Sequence, residues 1–266
     1  MTSRSLSRRA LLRSGLSCAA LASLSPLALA GALSEHPNLS AAEARALRVL
    51  RNWQAGGFTT EAAVRTFGIE RCFGIAPIDE RLFARMRGKS WKTNCTLDRD
   101  DLRHVRALHR TADGRIRAGE LVCARELAPE LLEILRELYD AAYPIELMTL
   151  VDEYDADDER SMRANNTSCF NYRVVKNTTQ LSAHSLGRAI DVNPLYNPFV
   201  KRRKDGSTDV QPEAGRPWSD RTKRSEYTLL KGDACWKAFT SRGWEWGGAW
   251  STCKDWQHFE KRRPQK

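Results

Sequence analysis

The chain has 266 residues, with 43 Lys and Arg against 33 Asp and Glu, a formal net charge of +10, and seven cysteines. That length bounds one substantial domain with a core of its own, and no internal repeat argues for a solenoid. The excess of basic charge suits an anionic partner.

The chain opens "MTSRSLSRRALLRSGLSCAALASLSPLALAGA". Arg4, Arg8, Arg9 and Arg13 precede a mostly apolar stretch, and Ala28-Leu29-Ala30 supplies a small-x-small cleavage pattern. This is the layout of a secretory signal over residues 1–30, too short and serine-rich for a membrane span. Arg8-Arg9 within it resembles a twin-arginine signal, with an ordinary export signal as the alternative. Cys18 lies too early in the run for a lipid anchor. Cleavage would remove those four arginines and lower the formal charge from +10 to +6. Export also argues against nucleic acid as the partner and for an anionic polymer of the cell envelope. Six cysteines remain, Cys72, Cys95, Cys123, Cys169, Cys235 and Cys253, and an even count in an exported chain favours disulfides. Cys235 and Cys253 flank a tryptophan-rich segment and form the expected brace. With no Cys-x-x-Cys pair, the sequence argues against a cysteine-rich structural zinc site.

Residues 31–70 are expected to form a linker and short helices. Ser40 and Glu43 have capping-box spacing before "ARALRVLRNWQ", which Gly56-Gly57 ends, and "TEAAVRTFG" predicts a second helix. These helices either pack on the main domain, spanning 71–262, or form a small wall-binding module. Residues 102–123 predict a hairpin turning at Asp113-Gly114. The odd spacing of His104 and His109 puts them on opposite faces of a strand, where both are read as surface residues. "APELLEILRELYDAAY" predicts a helix with Leu131, Leu135, Leu138 and Tyr139 on one face, Pro129 in its first turn and Pro144 beyond its end. "IELMTLVDEY" then predicts a strand. Helices packed on a small antiparallel sheet make an α+β domain. Residues 197–225, rich in Pro, Gly and charge, read as an excursion from the core. Within them Lys201-Arg202-Arg203-Lys204 is either a solvated turn before Asp205-Gly206 or a contact for wall polymer.

Five histidines occur in the chain, and His184 sits in "SAHSLGRAID", seven positions ahead of Asp191. The last forty residues hold "GWEWGGAWSTCKDWQHFEK", with Trp244, Trp246, Trp250 and Trp256 within thirteen positions and Asp255 three residues before His258. Catalytic zinc takes three ligands from His, Asp or Glu and keeps a fourth position open. His184, Asp191 and His258 supply such a set. Asp255, left over, would take a proton from the attacking water. Gly187 would help the chain turn so that Asp191 faces the same ion. The tryptophans are expected to pack the core, with Trp250 or Trp256 at the cleft.

The pattern "SAHSLGRAIDV" with a late "DWQHFE" resembles the D-alanyl-D-alanine carboxypeptidase family of zinc peptidases, VanY-like and LAS-type enzymes that include L-alanyl-D-glutamate endopeptidases. The resemblance runs from about Cys72 to Glu260 through "GKSWKTNC", "GELVC", "ADDERSMRANNTSCFNYR" and "NPLYNPFVKRR". It implies a LAS/hedgehog-like α+β fold with a zinc site in a central cleft. His184 and Asp191 match the family's His-x6-Asp ligand pair, His258 its late histidine ligand, and Asp255 its acidic catalytic residue. Many members carry glutamate there, and aspartate points to the endopeptidase-like branch. The family's serine two residues before the first ligand carries over to Ser182. The usual Ser-Gly-x-Arg clamp for the peptide carboxylate is not recognisable, and Arg173 is the candidate in its place, with Arg160 and Asn166 behind it. The resemblance implies a periplasmic or envelope peptidase hydrolysing amide bonds in peptidoglycan stem peptides as a carboxypeptidase. L-Alanyl-D-glutamate endopeptidase is the alternative. The hedgehog signalling domain, which shares the fold, leaves a non-catalytic wall-binding role as a third reading.

Overall fold

In a computed structural model the chain is described over residues 39–175 and 178–262. The expected signal segment, residues 1–30, lies outside the described residues. Two capped helices begin the described chain. Helix α1 (Ala41–Arg51) starts at Ser40, whose hydroxyl accepts the Glu43 amide while the Glu43 carboxylate accepts the Ser40 amide, the reciprocal pair its spacing predicts. A short strand β1 (Phe58–Thr59) leads to α2 (Glu61–Phe67), capped by Thr60.

The main sheet is antiparallel, in the order β1-β4-β3-β2. It is built on the hairpin of β3 (Leu102–Arg110) and β4 (Ile116–Ala124), paired from Leu102↔Ala124 to Arg110↔Ile116, with β2 (Gly74–Ala76) on its edge. Gly114 at its tip has φ +78°, as an Asp-Gly hairpin turn requires.

Strand alternation sends Val105, Ala107, Leu121 and Cys123 to one face. There helix α4 (Ala128–Asp140) covers them with Leu131, Ile134, Leu135 and Leu138. Each of those four is 3 % exposed or less, so each contributes roughly 2 kcal/mol by leaving water. The other face carries Leu108, Ile116 and Ala118 against Leu47 and Leu50 of α1, and Leu102 and Val122 against Leu82 and Met86 of α3 (Glu80–Met86). The N-terminal helices therefore pack on the main domain rather than standing apart. Between these two patches Glu120 is buried and held by Arg85 and by His104 Nε2 at 2.9 Å.

Histidines 104 and 109 do lie on opposite faces. His109, however, is a core residue, 2 % exposed, donating from Nδ1 to the Ile145 carbonyl at 2.8 Å; segment 145–150 covers what was read as surface. That segment is not a strand either. It touches the sheet through single contacts, such as the Glu120 amide on the Met148 carbonyl, and then closes into a 3-10 turn at Val151–Tyr154.

The C-terminal half adds two three-stranded sheets, β5-β10-β8 and β7-β6-β9. The first joins β5 (Ala189–Asp191), β10 (His258–Glu260) and β8 (Glu245–Trp246); the second joins β6 (Phe199–Arg202), β7 (Thr208–Gln211) and β9 (Lys254–Asp255). Helices α5 (Asp158–Arg163) and α6 (Ala234–Thr240) flank them. Helices and antiparallel sheets in separate runs make the chain α+β. All six cysteines of the described residues are free thiols, so the expected Cys235–Cys253 pair is not made. Cys235 sits in the main core on α6, whereas Cys253 is partly exposed before β9. No helix among the described residues is long and apolar enough to cross a membrane.

Candidate metal centre

Strand pairing brings the site together. Strands β5 and β10 run antiparallel with His258 directly opposite Asp191, a register that puts side chains on one face within reach. His258 Nδ1 lies 2.9 Å from Asp191 Oδ1. The third member arrives from the 3-10 turn Ala183–Leu186, which Ser182 caps by accepting the His184 amide at 3.3 Å. His184 Nε2 lies 3.2 Å from His258 Nδ1 and 3.3 Å from Asp191 Oδ2. All three residues are buried, and one donor atom from each lies within 4.8 Å of the others.

The turn is possible because residue 187 is glycine. Its φ is +63°, and a Cβ there would stand 2.5 Å from the Ala124 nitrogen and 2.9 Å from the Cys123 carbonyl carbon. The Gly187 carbonyl in turn accepts the Ala124 amide at 2.9 Å, fastening the site to the end of β4.

Each histidine is oriented from behind. His184 Nδ1 donates to the Cys169 carbonyl at 2.6 Å, leaving the Nε2 lone pair to face the cluster. His258 Nε2 lies 3.3 Å from Glu260 Oε2, which leaves Nδ1 facing Asp191. Neither Cys169 nor Glu260 is among the residues the sequence motifs single out. Glu260 was findable, since residues two apart on a strand share a face. Cys169 acts through its backbone and leaves no such signal.

Burial disfavours charge on His258, but its hydrogen bonds to Asp191 and Glu260 outweigh that and push its imidazolium up to about 10. Burial likewise opposes charge on Asp191, yet His184 and His258 hold its carboxyl far below the usual carboxylate range. The donor set therefore attracts positive charge strongly.

Asp255 stands on β9, beside these three and outside the donor group. Its strand is held by β6, with Phe199 opposite Asp255, so the stretch 197–225 is no mere excursion: it supports this carboxylate. Gly247 makes room for it, since a Cβ there would lie 2.8 Å from Asp255 Cβ. Asp255 Oδ1 is buried with no hydrogen-bond partner. Burial pushes its carboxyl up to about 6, against the pull of His258.

The tryptophans divide as follows. Trp244 is core, at 2 % exposure, and the Trp246 indole donates to the Trp256 carbonyl at 3.0 Å. The Trp250 ring lies 5.4 Å from the His258 ring, and Trp256 carries Arg221 over its face.

The remaining candidates separate clearly. Arg173 lies beside the turn that carries His184, its carbonyl accepting the Ser182 amide at 3.0 Å, and its guanidinium is engaged by Asp158. Arg160 is exposed on α5 and paired with Asp155 at 3.2 Å. Asn166 is fully buried and bonded to the Thr149 backbone and the Ser161 hydroxyl, a structural role that removes it as a substrate clamp.

No curated protein and no solved structure matches the chain. Residues 176–261, the stretch that carries all three donors and Asp255, match the model of a metallopeptidase family described as D-alanyl-D-alanine carboxypeptidase.

Proposed function

We propose that the protein is an exported zinc peptidase that hydrolyses an amide bond in peptidoglycan stem peptides, in carboxypeptidase mode at D-alanyl-D-alanine ends. The observation that carries this reading is the meeting of His184 Nε2, His258 Nδ1 and an Asp191 oxygen beside an Asp255 carboxylate whose Oδ1 is buried and unpartnered. The donor set fits the ion. Tetrahedral zinc with ligand bonds of about 2.0 Å has ligand–ligand edges of roughly 3.3 Å, against the 2.9, 3.2 and 3.3 Å here.

When bound, zinc supplies Lewis acidity for the scissile carbonyl and lowers the pKa of water toward ~7. Every other task falls to the chain. Cys169 and Glu260 fix the ring orientations of His184 and His258. Asp255, with its carboxyl raised to about 6, takes the proton of the attacking water near neutral pH and returns it to the leaving amine. Ser182 and Arg173 orient the peptide, with Arg173 exchanging Asp158 for the substrate carboxylate. Trp250 walls the His258 side and excludes water.

The test uses the zinc-loaded protein and a defined muropeptide with either a free or an amidated C-terminus, read by mass spectrometry. Carboxypeptidase action releases D-alanine from the first and nothing from the second. A second reading, L-alanyl-D-glutamate endopeptidase, is favoured by aspartate rather than glutamate at position 255, and predicts cleavage of both. No product from either would leave a zinc-holding wall-binding domain.

A further inference from the structure

On the side of the main sheet covered by α1, a recess of about 470 Å³ opens between α1, α2 and the β2–β3 edge. Leu50, Phe67 and Phe73 form its apolar walls, and Arg51, Arg71 and Arg106 reach into it; among the described residues no acidic one lines it. The three arginines come from the end of α1, a 3-10 turn at Ile69–Cys72 and the middle of β3. Folding thus gathers them from well-separated parts of the sequence. None belongs to the His184, Asp191 and His258 group or touches Asp255.

Elsewhere the arginines close ion pairs: Arg110 with Glu61, Arg136 with Glu70, Arg242 with Glu137. Arg71 and Arg106 have no carboxylate partner among the described residues. Instead Arg71 lies over the Phe67 ring at 4.5 Å and Arg106 over the Trp53 ring at 5.1 Å. Aromatic faces fix the guanidinium planes while leaving their N–H edges unused. Like charges gathered this way raise one another's energy. An oxyanion relieves that repulsion, and guanidinium forks match its oxygen pairs.

We propose that this recess is a binding site for a phosphate-class oxyanion, held by Arg71 and Arg106 with Arg51 at the rim. The multivalent charge of phosphate matches the paired guanidiniums of Arg71 and Arg106 better than a single carboxylate does. The source is either free phosphate or the phosphodiesters of an anionic envelope polymer.

The experiment titrates the full protein with inorganic phosphate by calorimetry, at ionic strength held constant with sodium chloride. Saturable binding with one site per chain is expected. Combining Arg71→Gln with Arg106→Gln should weaken it at least tenfold, while Arg81→Gln, an exposed arginine elsewhere, should not change it. Arg106→Lys guards against misfolding: it keeps the charge under Trp53, loses the fork, and should weaken binding by a smaller factor. A second titration with a glycerol-phosphate oligomer separates the sources. Tighter binding per phosphate marks the polymer, and equal binding marks free phosphate; both support the phosphate-class site. Phosphate binding no better than chloride, or weakened equally by Arg81→Gln, or unchanged in the double variant, overturns it.

Discussion

Substituting Gly187 by alanine should cost far more than its size suggests, because two separate penalties meet there. The left-handed φ of +63° costs an alanine roughly 1–2 kcal/mol. The new Cβ would also stand 2.5 Å from the Ala124 nitrogen, well inside van der Waals contact, and relief requires the two backbones to part. Parting them stretches the Ala124–Gly187 hydrogen bond of 2.9 Å and leaves a buried amide unsatisfied, about 1–3 kcal/mol more. The sum is about 2–5 kcal/mol. Gly114→Ala supplies the control, since Gly114 has φ +78° but nothing within 4 Å of its would-be Cβ, and so carries the conformational penalty alone. Urea denaturation of both variants, with zinc content measured alongside, isolates the close approach. Gly187→Ala should be the less stable by about 1–3 kcal/mol and should bind zinc more weakly, as the turn bearing His184 shifts. Equal stabilities for the two variants would refute the argument that backbone proximity, rather than φ alone, demands glycine here.

Asp255→Asn should keep stoichiometric zinc and lose roughly 100- to 10,000-fold in turnover, whereas His184→Ala should lose both; zinc analysis and muropeptide hydrolysis on the two variants check it. Glu260→Ala should lower zinc affinity by roughly 10- to 100-fold through loss of orientation at His258, measured by chelator competition. His109, held down to about 4 by burial, excludes a proton that the unfolded chain binds below about 6.5. Its contribution is therefore whole above pH 6.5 and is lost as pH falls toward 4, by ~3 kcal/mol. Denaturation curves across that window should be less steep in pH for His109→Gln, and identical slopes would remove His109 as the cause.

The parts of the structure legible in the sequence are those whose signal is local. Ser40 and Glu43 announce their helix because both halves of the capping box lie within one turn, and Asp113-Gly114 announces its hairpin for the same reason. His184 and Asp191 were found by spacing, but only a strand pairing invisible in that spacing sets His258 opposite Asp191. Segment 145–154 was misread because an apolar run does not reveal whether a partner ladder is available; here one face meets the core and the backbone finds only scattered partners. Phe199–Arg202 hides in the sequence as a charged turn because Lys201 and Arg202 are exposed residues at the end of a short strand, next to the turn that joins it to β7.

The pairing of β5 with β10 has a consequence for how the protein is assembled. His184 and Asp191 are close neighbours in sequence, but His258 is 67 residues beyond Asp191, so an ion shared by the three acts as a clasp on a long loop. Closing a loop of that length costs the free chain roughly 4 kcal/mol of entropy, and a cation that binds only the closed form offsets it through mass action. Metal supply would then govern not only catalysis but how often β10, and with it the end of the chain, is peeled from its sheet. Protease access to residues 245–262 should accordingly follow the free zinc concentration, long before the rest of the domain opens.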